Sequence, residues 1–141
     1  MFQFFSRSLR NERGFTLIEL LIVVAIIAIL AAILIPNFLR ARAQSQLSAS
    51  KGNLKNLATS LESYFVDRGN YPAAIGDLAP TYLRAIPNDP CSSTPYIYTP
   101  LSTPAVPTDY RLSVDFPIGS PCDNIVPGLS YTPGGGLQET P

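Results

Sequence analysis

Residues 15–35 form one apolar run, FTLIELLIVVAIIAILAAILI, in which Glu19 is the single charged side chain. As a helix, the run would be about 31 Å long at 1.5 Å per residue, which matches the roughly 30 Å hydrocarbon core of a bilayer. The segment before it carries Arg7, Arg10 and Arg13. The run therefore predicts a helix that crosses a membrane, and any fold of this chain has to accommodate that helix.

Two simple interpretations leave part of this pattern unexplained. A cleaved signal peptide finds small residues for its peptidase at Ala28, Ala31 and Ala32, but the run is longer than the ~7–15 apolar residues of such peptides. A plain membrane anchor explains the length and the apolarity. It leaves Glu19 without a reason, although an ionisable side chain at membrane depth is costly and normally functional.

The residues around Glu19 supply a third interpretation. The sequence GFTLIE at residues 14–19 follows a basic leader and opens the apolar run. It resembles the processing motif of the type IV pilin superfamily, which includes the pseudopilins of type II secretion. The resemblance implies that a prepilin peptidase cuts between Gly14 and Phe15, so that residues 1–14 are a cleaved leader. Phe15 would then be the N-methylated terminus of the mature chain, and Glu19 an assembly residue.

The charge of the new terminus gives Glu19 a physical role in assembly. A free α-amine on Phe15 is cationic at neutral pH, because its unperturbed pKa is about 8. An unpaired charge in an apolar filament core is heavily penalised. Glu19 of one subunit is therefore predicted to pair with the Phe15 amine of its neighbour. This pairing would fix the axial register and act as a specificity device more than as a source of stability.

Residues 36–68 are predicted to continue the helix as an amphipathic segment. Pro36 lies where many members of the superfamily carry a helix-bending proline, and its missing backbone donor predicts a kink or a short melted stretch. Gly69 and Asn70 provide a stop signal at the C-terminal end. Apolar positions recur at three-, four- and seven-residue steps, which predicts one buried stripe. These positions are Leu47, Leu54, Leu57, Ala58, Leu61, Tyr64 and Phe65.

Residues 69–141 are predicted to form a small proline-rich β domain with a disulfide loop. Thirteen of the fourteen prolines lie at or beyond Pro72, which favours short strands separated by turns. Residues 96–98 and 110–116 alternate as strands do, whereas residues 79–86 are ambiguous and fit a short helical turn. The glycines near the C-terminal end predict a mobile tail, and the domain needs the helix stripe as its core.

The two cysteines, Cys91 and Cys122, both follow the apolar run. If this part of the chain is exported, an even pair in an oxidising compartment indicates a disulfide. The alternative is a pair of buried free thiols in a cytosolic domain, which the N-terminal segment disfavours. The disulfide would stabilise the domain by roughly 3–4 kcal/mol through loop entropy.

Local resemblances divide between two branches of the superfamily. Asn70-Tyr71-Pro72 and Asp89-Pro90 resemble the major pseudopilin of type II secretion, whereas a C-terminal cysteine pair is more typical of surface pilins. Major pseudopilins usually carry an acidic calcium loop near the C-terminal end. Asp115, Asp123 and Asn124 lack that spacing here, so the turn-forming use of Asp and Asn is favoured and no metal site is predicted.

The predicted fold class is α+β: a long N-terminal α-helix, transmembrane over residues 15–35 and amphipathic over residues 36–68, packed on a small antiparallel β-sheet as in pilins. The predicted function is that of a structural subunit of a type IV pilus-like filament, pseudopilin-like in type II secretion. The alternative is a surface type IV pilin for adhesion, motility or DNA uptake. A more distant alternative is a membrane-anchored extracytoplasmic enzyme or binding protein.

Composition weighs against other classes of function. The chain has no histidine, no glycine-rich phosphate loop and no metal-ligand cluster, so no catalytic site and no cofactor are predicted. Its formal net charge is zero, which does not indicate a nucleic-acid partner. The predicted partners are other copies of the chain, the prepilin peptidase, an inner-membrane assembly platform and the lipid bilayer. The predicted location is a single pass of the inner membrane, then a periplasmic or cell-surface filament.

Overall fold

The computed structural model describes residues 14–101 and 107–140. By contact density, the chain divides into two compact units, Met1–Phe38 and Leu39–Pro141. The predicted α+β class is confirmed, and the predicted leader lies outside the described residues except for Gly14. The elements in chain order are helix α1 (Leu17–Arg68), a 3₁₀ helix (Ile75–Leu78), β1 (Ile97–Leu101), β2 (Asp109–Asp115), β3 (Gly128–Thr132) and β4 (Gly136–Thr140).

Helix α1 continues without interruption through Pro36. The predicted short melted stretch is therefore wrong, while the predicted kink stays a prediction. Proline removes the donor that would reach the carbonyl of Ala32. Nearby, the side-chain amide of Asn37 donates to the carbonyl of Ile33 at 3.1 Å. The helix tolerates one missing backbone bond here because the bonds on either side of it remain in place.

The second half of α1 buries the predicted stripe. Leu47, Leu54, Leu57, Ala58 and Leu61 are 0–7% exposed, and Tyr64 and Phe65 pack against the same core. The stripe is more regular than the apolar pattern suggests, because three further buried residues lie at helical spacing before and within it. These residues are Ala43, Ser50 and Ser60.

The helix ends where the sequence predicts. Gly69 adopts a φ of 74°, a left-handed conformation that glycine reaches at little cost, and its amide donates to the carbonyl of Phe65 at 2.7 Å. The short helical turn that was expected at residues 79–86 lies earlier, at Ile75–Leu78. Its first turn is held by Asp77, whose carboxylate accepts from the amide of Ala74 at 3.2 Å.

The four strands form one antiparallel meander in the order β1-β2-β3-β4. The strands predicted at residues 96–98 and 110–116 correspond to β1 and β2. In β2, buried and exposed side chains alternate, so Tyr110, Leu112 and Val114 face the core. This alternation is the period-two pattern that identifies a half-buried strand.

The prediction of a mobile tail is wrong. Residues 133–135 form the turn of a β-hairpin, and Gly136 begins β4, which pairs with β3 from Thr132↔Gly136 to Gly128↔Thr140. The amide of Gly135 donates to the hydroxyl of Thr132 at 3.1 Å. Glycines can adopt hairpin-turn conformations closed to other residues, so this cluster marks a turn rather than a loose end.

The predicted disulfide between Cys91 and Cys122 is present, with the two Cα atoms 5.7 Å apart and a sequence separation of 31. Both residues are buried. The Sγ atom of Cys122 lies 3.6 Å from the carbonyl oxygen of Ala43 on α1. The disulfide therefore joins two loops within the core that the helix stripe and the sheet share.

Candidate assembly site

The start of α1 is closed by a reciprocal pair of side chains. The amide of Glu19 donates to Oγ1 of Thr16 at 3.2 Å, while the amide of Thr16 donates to Oε2 of Glu19 at 3.3 Å. The Thr16 hydroxyl adds a bond of 3.0 Å to the same carboxylate oxygen. This arrangement is a capping box, which satisfies helix-end donors and places a negative charge at the positive end of the helix dipole.

The capping box is a local role for Glu19 that the sequence analysis missed. Its signal is present in the spacing Thr16-Leu17-Ile18-Glu19, a threonine followed three residues later by a glutamate and then an apolar run. The processing motif and the cap share these residues. The capping box alone therefore explains a glutamate at position 19, without any contact to a neighbouring subunit.

The predicted cleavage site precedes the helix. Gly14 and Phe15 have non-helical backbone, and Phe15 is 80% exposed. A Cβ atom added to Gly14 would meet nothing within 4 Å among the residues that the structure describes. Of the predicted site residues, the structure brings Phe15 and Glu19 to the same helix end, and it leaves Pro36 and the disulfide elsewhere in the chain.

The apolar part of α1 is exposed in the part of the chain that the structure describes. Every large apolar side chain from Phe15 to Phe38 is at least 47% exposed. In the part of the chain that the structure describes, one helix is long and apolar enough to cross a membrane, judged by length and composition. Soluble monomers rarely expose so large a contiguous apolar surface. This surface therefore requires lipid or other apolar helices as its surroundings.

A buried carboxylate organises the loop that leads to the disulfide. Asp89 is 1% exposed, and its Oδ2 atom accepts from the amides of Cys91 at 2.9 Å and Ser92 at 2.7 Å. Its Oδ1 atom accepts from the hydroxyl of Ser50 and, at 3.3 Å, from that of Tyr96. A buried charge is tolerated when donors surround it in this way.

A second cluster joins the helix to the sheet through tyrosines. The Tyr71 hydroxyl donates to both carboxylate oxygens of Glu62, at 3.1 and 3.0 Å, and that of Tyr110 donates to Oε1 at 3.3 Å. The rings of Tyr71 and Tyr110 meet edge to face at 4.7 Å. Burial, followed by the hydrogen bond to Glu62, raises the pKa of Tyr71 to about 12.

The pKa values of two neighbouring tyrosines are raised as well. Burial, followed by the charge of Asp77, raises the pKa of Tyr98 to about 12. Burial, followed by the charge of Glu62, raises the pKa of Tyr110 well above its usual range. These hydroxyls are thus held in the protonated form, where they serve as hydrogen-bond donors within the core.

The acidic residues near the C-terminal end do not converge. Asp123 accepts from the amide of Gly119 at 3.2 Å, which is a turn-forming contact, and Asp115 is exposed. Among the described residues, no group of three or more His, Cys, Asp or Glu side chains is placed to hold a metal ion.

Comparison with known proteins places this geometry in a family. Residues 9–35 match the family model described as the prokaryotic N-terminal methylation motif. The chain is 32% identical over 123 residues to the type II secretion system core protein G of Pseudomonas aeruginosa, an alignment covering 75% of this chain and 86% of that protein. The chain therefore belongs to the type IV pilin superfamily, as its N-terminal motif predicts.

Two pilins are similar over shorter stretches. The type IV major pilin protein PilA of Myxococcus xanthus is 56% identical over 66 residues, which cover 47% of this chain and 30% of that protein. The type IV wide pilus major component PilA4 of Thermus thermophilus is 44% identical over 79 residues, covering 56% of this chain and 60% of that protein. The chain thus spans less than two thirds of either pilin. These relatives are structural proteins, which confirms the expectation that the chain is not an enzyme.

Proposed function

We propose that this chain is a structural subunit of a type IV pilus-like filament, assembled through its apolar N-terminal helix. The observation that carries the proposal is the exposure of every large apolar side chain from Phe15 to Phe38 on a helix whose first turn holds Glu19. Such a surface is stable in a bilayer before assembly and among the helices of other subunits afterwards. The same helix is therefore compatible first with the bilayer and later with the apolar core of the filament.

Processing at the start of the helix follows from the same arrangement. We propose that the prepilin peptidase cuts between Gly14 and Phe15 and that the new amine on Phe15 is methylated. The matching family model covers residues 9–35, which include both residues, and the non-helical backbone at Gly14 and Phe15 supports recognition by a peptidase. Residues 1–14 act as the leader of the precursor.

Glu19 has the geometry to serve its own helix and a neighbour together. Its Oε2 atom accepts the bonds of the capping box, whereas Oε1 accepts none within the described residues. The free oxygen supports a pairing with the Phe15 amine of an adjacent subunit. That pairing neutralises two charges which would otherwise be buried singly in an apolar filament, at a cost of several kcal/mol each. A carboxylate shared in this way selects one axial register.

The branch proposed is the pseudopilin-like one, in which the filament serves type II secretion. Support comes from the extent of the alignment with core protein G, which covers 86% of that protein and 75% of this chain and so extends beyond the N-terminal helix. The alternative is a surface pilin, favoured by the higher identity of the two pilins over their shorter stretches and by the disulfide. In either branch the subunit sits in the inner membrane before assembly, where an assembly platform adds it to the filament.

Deletion of the gene in its native host tests the proposal, followed by parallel assays of extracellular enzyme release and of surface fibres. The pseudopilin branch predicts lost secretion with surface fibres intact. Normal secretion with lost fibres would assign the chain to the surface pilins instead. Complementation with the wild-type gene is the control, and a deletion strain with both activities intact would count against a principal filament subunit.

A further inference from the structure

The chain directly after the apolar segment forms one wall of an open cavity of about 830 Å³, all of whose lining residues belong to the unit Leu39–Pro141. Arg40, Arg42 and Gln44 line it from α1, and Ser120, Asn124 and Ile125 line it from the loop opposite. Both arginines are exposed. Within the described residues, neither arginine has a carboxylate within ion-pair distance. The ion pair among those residues joins Lys51 and Glu139.

The loop opposite the arginines is held by a disulfide and by backbone hydrogen bonds, and it exposes the apolar side chain of Ile118. Its base is closed by the amide of Phe116, which donates to the carbonyl of Pro127 at 2.8 Å, and buried Cys122 fixes its middle through the disulfide. Its tip is a type II turn, because the amide of Ser120 donates to the carbonyl of Pro117 at 2.9 Å and Gly119 has a φ of 88°.

This turn places Ile118 at its first central position, where the side chain is 98% exposed. No other large apolar side chain among the described residues is as exposed. A mobile loop could fold such a side chain inward, but this one is held by a disulfide, a turn and a backbone bond at its base. These contacts keep the Ile118 side chain exposed to the surroundings. Ile125, in the same loop, is 39% exposed.

We propose that this cavity and the Ile118 turn form a docking site for the phosphate headgroups of anionic phospholipids. Arg40 and Arg42 follow the apolar run by a few residues, so they lie in the part of the chain that leaves the bilayer. Guanidinium groups bind phosphate in a planar, forked geometry. Ile118 directly precedes Gly119, which lines the cavity together with both arginines. Apolar side chains combined with basic ones are the composition that holds a surface in the headgroup region of a membrane.

The site would act on the subunit before assembly, when its apolar helix is in the bilayer. The proposal rests on that membrane insertion, which is part of the proposed function. By contacting headgroups, the loop would hold the Leu39–Pro141 unit against the membrane surface. Assembly would then have to release these contacts, so the lipid composition of the membrane would influence how readily a subunit leaves it.

Tryptophan fluorescence tests the proposal on the full chain, because the sequence contains no native tryptophan. Ile118→Trp is reconstituted in vesicles of phosphatidylcholine with or without phosphatidylglycerol, including lipids brominated near the headgroup. The expected result is a blue-shifted emission that the brominated lipids quench, more strongly when phosphatidylglycerol is present. Val66→Trp is the matched control, since Val66 is 81% exposed on α1 away from the cavity, and its emission should stay unshifted and unquenched.

A second pair of variants tests the arginines. Arg40→Gln with Arg42→Gln, in the Ile118→Trp background, should abolish the extra quenching that phosphatidylglycerol causes. Arg84→Gln with Arg111→Gln removes the same charge from exposed positions outside the cavity and should leave the quenching unchanged. Equal losses in both pairs would show a nonspecific effect of net charge and overturn the phosphate site.

Three other outcomes would also overturn the proposal. Ile118→Trp could behave like Val66→Trp in every vesicle, which refutes the lipid contact while membrane insertion stands. Its emission could shift only as the ratio of protein to lipid rises, which assigns the surface to a second copy of the chain. Ile27→Trp, placed within the apolar run, could escape quenching by lipids brominated deep in the acyl chain, and membrane insertion itself would then be wrong.

Discussion

The hydroxyl of Ser50 donates a hydrogen bond to Oδ1 of Asp89, 39 residues further along the chain. Ser50 is fully buried in the stripe of α1, and Asp89 is 1% exposed. The same carboxylate accepts the amides of Cys91 and Ser92 through its other oxygen. One side chain therefore connects the helix to the loop that bears the disulfide, and it does so in the core.

Loss of this connection should destabilise the domain. We expect Asp89→Asn to lower the free energy of unfolding by roughly 3 kcal/mol, because the new amide group would face buried donors that the carboxylate satisfied. Ser50→Ala should cost about 1–2 kcal/mol. Ser48→Ala is the matched control, since its exposed hydroxyl bonds only the Gln44 carbonyl one turn back, and it should change stability by less than about 0.5 kcal/mol. Equal values for the two serine variants in denaturant unfolding would refute the connection.

The tyrosine cluster predicts unfolding at alkaline pH. The pKa of Tyr71 and of Tyr98 is raised from 10.0 to about 12 in the folded chain. Between these values the unfolded chain has lost phenolic protons that the folded chain still holds, so stability falls as pH rises. We expect denaturant unfolding to show a steep loss of stability from pH 10 to 12, and these tyrosines should contribute no pH dependence below about pH 9. In Tyr71→Phe the loss should be shallower, and an unchanged slope would contradict the assignment.

The disulfide should be complete in the native protein. Thiol titration under non-reducing conditions is expected to find no reactive cysteine, and reduction should lower the free energy of unfolding by roughly 3–4 kcal/mol. The double variant Cys91→Ser, Cys122→Ser should reproduce that loss and no longer respond to reductant. Quantitative alkylation of both cysteines in native material would show that the disulfide does not form.

Processing should depend on the size of the residue at position 14. We expect Gly14→Val to accumulate as uncut precursor in the membrane, because the peptidase must accommodate this residue. Among the residues that the structure describes, a Cβ atom at position 14 meets nothing within 4 Å, so no steric conflict is expected with them. N-terminal sequencing of the wild-type product should begin at methylated Phe15. A mature terminus at or beyond Ala32 would support the signal-peptide interpretation instead.

Variants of Glu19 and Thr16 should distinguish the role of Glu19 in the capping box from its role in the charge pair. Glu19→Val makes the segment more apolar and should still insert in the membrane, but we expect it to join filaments poorly because neither the cap nor the charge pair can form. Thr16→Val keeps the carboxylate while removing the hydroxyl of the capping box. Its filament yield, measured in sheared or membrane fractions, should lie between those of Glu19→Val and the wild type. Wild-type yield from Glu19→Val would refute the pairing with the Phe15 amine.

The sequence predicts those parts of the fold that depend on short-range periodicity. The stripe from Leu47 to Phe65, the stop at Gly69 and the strand around Leu112 each carry a local pattern that survives in the structure. The capping box at Thr16 also has a local signal, but this signal coincides with the processing motif, because both include Thr16 and Glu19.

Long-range contacts account for the parts that the sequence did not predict. The sequence around Ser50 predicts a polar surface residue. Its hydrogen bond to Asp89 joins residues 39 positions apart, so no local pattern predicts it. Strands β3 and β4 were missed because the glycines between them resemble a loose tail, whereas pairing from Gly128 to Thr140 turns them into a hairpin. The cavity between Arg40 and the Ile118 turn likewise exists only because the chain folds back onto α1.

The core of the β domain starts inside α1, at Ala43, while the exposed apolar side chains of the first unit end at Phe38. A water-soluble fragment for crystallography or spectroscopy therefore has one natural starting point, near Leu39. Starting earlier would retain apolar surface that drives aggregation. Starting at Ser48 would delete Ala43 and Leu47, leave Cys122 without its helix neighbour and open a void in the interior. The best starting residue for a soluble fragment thus lies in the middle of helix α1 and does not coincide with an end of a secondary-structure element.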